Sequence, residues 1–101
     1  MIRQLQHGDV NITEIHSVPE GAIPAGHNVL RDGEVTGHAH RVTGSAEVLT
    51  LGDRVLLNVM GGDCRVVHEE HAPITIPPGV YEVTPTHEND YDTEETRNVI
   101  D

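Results

Sequence analysis

From Val29 onward the chain is interrupted at intervals of about 10 residues by clusters of turn formers, with short β-type runs between them. The interruptions are Arg31-Asp32-Gly33, Thr43-Gly44-Ser45, Gly52-Asp53 and Gly61-Gly62-Asp63. That spacing is the one expected of a small all-β fold, with predicted strands over 34–42, 46–51, 54–60 and 64–68. In the third of these Val55, Leu57 and Val59 share a face while Asn58 points the other way. A one-sided core of this kind suits a meander or a sandwich sheet.

The flanking segments extend the pattern. Residues 8–16 alternate Val10 and Ile12 with polar residues and read as a half-buried strand, and the Pro- and Gly-bearing stretch SVPEGAIPAGHN reads as a connecting loop. Ile74-Thr75-Ile76 is a short strand, Pro77-Pro78-Gly79 a rigid turn at a sheet edge or end, and 80–83 its return. Beyond Thr84 the chain turns acidic. Asp92 is placed to cap a helix, Glu95 falls at its third position and Arg97 near its far end, which predicts a short helix over 93–100. The expectation is one domain over 1–101, with an acidic tail or short helix from about 84 to 101. Its architecture is a small sandwich, roll or partly open barrel.

Composition bears on how such a fold holds together. There is no Phe or Trp, and Tyr81 and Tyr91 are the only aromatics, so the core must be built from aliphatic side chains. Self-association would supply burial that a monomer of this kind lacks, and a homo-oligomer is expected. The formal charge of −11 is uneven. Residues 1–67 hold five Arg against eight acids, a net of −3, and residues 68–101 hold Arg97 against nine, a net of −8. Nonspecific binding to nucleic acid or to an anionic membrane needs many cations, so both are disfavoured. Cys64 stands alone, which excludes an intramolecular disulfide and points to a small buried apolar residue. No signal-peptide run and no apolar span of about 20 residues is present, so a cytoplasmic location is expected; a phage-particle or lysis-released product would read the same way.

Histidine carries the chemistry. His38 and His40 are two apart on a predicted strand, so their side chains leave one face and can converge on an ion. His68 and His71 are three apart and converge only if Glu69-Glu70 makes a turn or bulge. Joined across neighbouring strands, the four would form a site for a transition metal such as Zn, Fe or Ni, with Glu69, Glu70 or Glu47 as an oxygen ligand. A metal-free, pH-responsive histidine cluster and plain structural roles are the competing readings. His7, His16, His27 and His87 fall outside these clusters.

Other chemistry is poorly supported. Ser17 and Ser45 lack a nucleophile-elbow context, and neither phosphate-loop pattern is present. Arg41, Arg54 and Arg65 lie on successive predicted strands, where salt bridges to Glu34, Glu47 and Asp53 are the favoured reading and nucleic-acid binding the lesser one.

The segments GEVTGHAHRV and HEEHAPITIPPGVYEV, followed by an acidic end, resemble a set of small uncharacterised bacterial and phage proteins that pair a GHAH segment with an HEEHAPI-like one. That resemblance implies membership without an activity. A looser resemblance is to cupins: Gly33 precedes His38-Ala39-His40, Glu47 follows, and Pro77-Pro78-Gly79 matches the later turn. It departs from the cupin pattern where Tyr81 or Glu82 stands in place of a ligand histidine, so His68 or His71 would have to substitute. The functional expectation is a non-catalytic, self-associating assembly or binding module with a histidine-based metal site. The alternative is a cupin-like metalloenzyme acting on a small molecule.

Overall fold

A computed structural model describes residues 3–32 and 38–85. The helix expected over 93–100, most of the acidic tail, Gly33, Glu34 and His87 lie outside the described residues.

All the described elements are strands: β1 Gln4–His7, β2 Val10–Ile15, β3 Ile23–Pro24, β4 Val29–Asp32, β5 Ala39–Leu51, β6 Arg54–Val67, β7 Ile74–Ile76 and β8 Gly79–Pro85. Among the described residues no helix is long and apolar enough to cross a membrane. The strands form one antiparallel eight-stranded sheet in the order β1-β2-β8-β6-β5-β3, with β4 added to β5 and β7 to β6, and the sheet does not close. The all-β expectation is met as an open sheet.

The β5–β6 hairpin is the spine. Its strands run to 13 and 14 residues. A length of about 5–6 residues is usual. Thr43-Gly44-Ser45 and Gly61-Gly62-Asp63, expected to be turns between separate strands, lie instead inside these two. The pairing Gly44↔Cys64 is followed by Ala46↔Val59, so Ser45 alone opposes four residues of β6. Gly44 and Gly61 hold positive φ of 100° and 80° at this bulge. Glycine accepts such a backbone without a steric penalty. The glycines thus bend two continuous strands where a hairpin would have reversed them.

Each side of the bulge recruits its own neighbours. The first arm pairs the outer ends of β5 and β6 with β3, β8, β2 and β1; the second pairs their inner ends with β4 and β7. One core cluster draws on both arms: Val10, Ile12, Val48, Leu57, Val59, Tyr81 and Val83 from the first, Leu30, Val42, Cys64, Val66 and Ile76 from the second. The sheet is therefore folded over its own hairpin. The expected face of Val55, Leu57 and Val59 is the one turned to this core. The reverse face is not wholly polar, because Leu49 and Leu56, directly paired, are buried outside that cluster.

Pro77 and Pro78 do not close a hairpin. β7 pairs with the inner end of β6 and β8 with its outer end, so the prolines carry the chain from one arm to the other. Tyr81, the largest fully buried side chain, ties this crossing: its hydroxyl donates to the Pro77 carbonyl at 2.8 Å and accepts from Arg3 Nη1 at 3.2 Å. Burial pushes the Cys64 thiol up to about 11, consistent with an inert core residue. Arg54 grips Glu82 through two bonds of 2.9 and 3.1 Å, and Arg41 reaches Glu69 at 3.0 Å. These partners replace the Glu47 and Asp53 that the sequence favoured.

Candidate metal centre

Where the two arms meet, three segments converge. The β1–β2 turn brings His7, Gly8 and Asp9; the start of β5 brings His38 and His40; the loop between β6 and β7 brings His68, Glu69, Glu70 and His71. Five of the eight histidines are thereby gathered into one group.

The two expected pairs meet. β6 ends at Val67, and the irregular backbone after it turns His68 and His71 to the same side, their ring centroids 4.6 Å apart. His38 and His40 behave differently from a same-face strand pair, because β5 begins only at Ala39. Each packs on His68, at 5.7 and 4.5 Å, and among the described residues the two make no ring contact with each other. His40 is fully buried, whereas the His38 side chain is 25% exposed. Glu47 lies beyond the bulge, exposed and opposite Asn58 on the other arm, apart from this group.

One set of donors is spaced for an ion. His38, His68 and Glu69 each offer a ligand atom, and the three lie within 4.8 Å of one another. The His38 Nδ1 atom is buried without a hydrogen-bond partner among the described residues, and Glu70 Oε2 stands 3.5 Å from it. The Glu69 carboxylate is already oriented, accepting from Ala39 N at 3.0 Å through one oxygen and from Arg41 Nη1 at 3.0 Å through the other. Such outer contacts fix a carboxylate ligand while leaving it lone pairs to share. His68 is committed in one respect, since its Nδ1 accepts from Glu70 N at 3.0 Å, which puts the neutral ring's proton on Nε2. Uptake of an ion at this ring must replace that bond or move that proton.

The Ala39 amide, with Arg41 beside it, holds the Glu69 carboxyl down at about 2, from an ordinary 4.5. A carboxylate depressed in the folded state contributes stability that is fully present above about pH 4.5 and is lost as pH falls toward 2. Asp9 and Glu82 are also depressed, so acid weakens the fold through several groups. Glu69→Gln is expected to flatten the loss of urea resistance between pH 4.5 and 2 relative to wild type. Identical pH profiles for the two proteins would refute that role for the Ala39 and Arg41 contacts.

The residue that sequence reasoning missed is His7. It is 2% exposed, and its ring lies 5.0 Å from that of His40 and 5.7 Å from that of His71. It stood alone in the sequence, far from either histidine pair, and β1 carries one apolar residue, Leu5, too little for an alternation. Its only local signal is Gly8-Asp9, a dipeptide suited to a tight hairpin. That pair closes the β1–β2 turn, with Gly8 at a φ of 61°.

No curated protein and no solved structure matches the chain. The residues that build the group, from His7 to His71, all fall within the stretch 6–85 that a family match covers, and the chain belongs to the family described as Domain of unknown function (DUF8820).

Proposed function

We propose that this domain is a non-catalytic metal-binding module whose first-row transition ion, such as Zn, Fe or Ni, is held by His38, His68 and Glu69 where the two arms of the sheet meet. The observation that carries this reading is the approach of three donors, His38 from one segment and the adjacent His68 and Glu69 from another, to within 4.8 Å. Mixed imidazole and carboxylate donors suit these ions. An ion there would tie the start of β5 to the β6–β7 loop, and the benefit would go to the fold and to whatever docks on that end. An apolar cavity of about 460 Å³ is lined by His27, Val29, Leu30, Arg31, Val48, Thr50 and Val55. None of the five clustered rings borders it.

Elemental analysis of tag-free protein tests this, beside His38→Ala and His68→Ala. Wild type is expected to carry bound transition metal, with about one equivalent per chain lost in each variant while the urea midpoint of the metal-free proteins changes little. The full wild-type metal content retained by both variants, or none taken up by wild type from a buffered zinc solution, would refute the site. Sedimentation of the same samples tests self-association, the expectation raised by a chain with no Phe or Trp.

A further inference from the structure

A second set of donors lies beside the first. His7 Nε2 is 2.9 Å from the Ala72 carbonyl and His40 Nε2 is 2.8 Å from Asp9 Oδ1. A carbonyl and a carboxylate only accept, so both Nε2 atoms carry protons. A neutral imidazole has a single N–H, which each ring here spends on its outer contact. The two Nδ1 atoms then present bare lone pairs to each other at 2.9 Å. Facing lone pairs at that distance repel unless a cation lies between them.

The outer contacts identify which cation. Imidazoles that bind a metal typically donate their other ring N–H to a carboxylate or a backbone carbonyl. Here one ring uses Asp9 and the other Ala72. Two ligand nitrogens on one ion sit roughly 3.0–3.4 Å apart, a few tenths wider than the present gap. His71 completes a triangle, its centroid 5.7 Å from His7 and 5.9 Å from His40, with His7 and His40 themselves 5.0 Å apart. Three imidazoles on a tetrahedral ion place their centroids roughly 5 Å apart. His38, His68 and Glu69 already hold their donor atoms within 4.8 Å of one another, whereas the exposed His71 ring would have to turn toward His7 and His40 to complete a second three-donor set that shares no residue with the first.

We infer that His7, His40 and His71 form a second position for a divalent transition ion, all-nitrogen in its protein ligands, adjoining the His38–His68–Glu69 position. Asp9 is a positioning residue for His40. The inference extends the metal-binding reading above, yet it stands on different residues and can fail separately.

The test is a cobalt(II) and zinc(II) titration of chelator-stripped, tag-free full chain, read by visible absorption and elemental analysis, with imidazole ¹⁵N shifts recorded on the wild type. Two equivalents are expected for wild type. One should remain in His7→Gln, and a different one in His38→Ala, distinguishable by its cobalt spectrum. Asp9→Asn should weaken only the second equivalent, by about ten- to hundredfold. In wild type, zinc should move the Nδ1 resonances of His7 and His40. Should those resonances stay fixed in excess zinc, the inference is overturned even if His7→Gln fails to fold. A single wild-type equivalent, lost in His38→Ala and kept in His7→Gln, sinks this position and spares the first. The reverse pattern sinks the first and supports this one, and no uptake at all overturns both.

Discussion

Leu57→Ala is expected to lower the unfolding free energy by about 2–5 kcal/mol, against a total of about 5–15 kcal/mol for a domain of this kind. Leu57 is fully buried in β6, paired on one side with Val48 and on the other with Tyr81, at the centre of the core shared by both arms. Truncation loses the transfer energy of its apolar atoms and leaves a cavity between rigid strands that cannot close on it. Ile23→Ala is the matched control. That side chain is 61% exposed on β3. Its truncation should change stability by no more than about 0.5 kcal/mol. Urea unfolding of both variants decides the matter, and equal midpoints would show that the core does not lie where the folded-over sheet puts it.

Gly8→Ala should remove metal from the His7–His40–His71 position while costing only about 1–2 kcal/mol in stability. Two effects act at once. The positive φ of 61° strains any residue with a side chain, and an added Cβ would lie 2.5 Å from Cδ2 and Nε2 of His71 and 3.1 Å from Cε1 of His40. Because His71 is exposed its ring can swing away, so the clash is relieved by losing the ligand geometry and not by unfolding. Gly52 separates the two effects. It opens the same Gly-Asp turn between β5 and β6 with the same φ of 61°, and a Cβ there meets nothing within 4 Å. Gly52→Ala is therefore expected to show the strain and keep its metal. Equal metal content in the two variants, measured by elemental analysis, would mean that His71 does not need the space over Gly8.

The parts of this fold that were legible in the sequence are those whose physics is local. Val10 and Ile12, or Val55, Leu57 and Val59, declare a buried face by alternation alone. The placement of His68 and His71 on one side was conditional on a turn at Glu69-Glu70, and the chain supplies it just after β6 ends. The misreadings concern choices that depend on distant partners. Gly44 and Gly61 permit either a reversal or a bend, and the decision falls to the β4, β7 and β8 pairings that reward continuous strands. Pro77-Pro78 looks the same as a hairpin turn or as a crossing between arms. His7 had no near neighbour to mark it, since its partners are His40 and Ala72, separated from it by 33 and 65 positions.

The long β5–β6 hairpin has one further consequence. Both arms are built around halves of the same two strands, so neither contains a complete set of its own elements. A cut at the bulge would leave each piece with severed strand ends and half of a core, and duplicating one arm would duplicate nothing that could stand alone. The described part of the chain therefore has no seam along which a minimal folded fragment could be drawn.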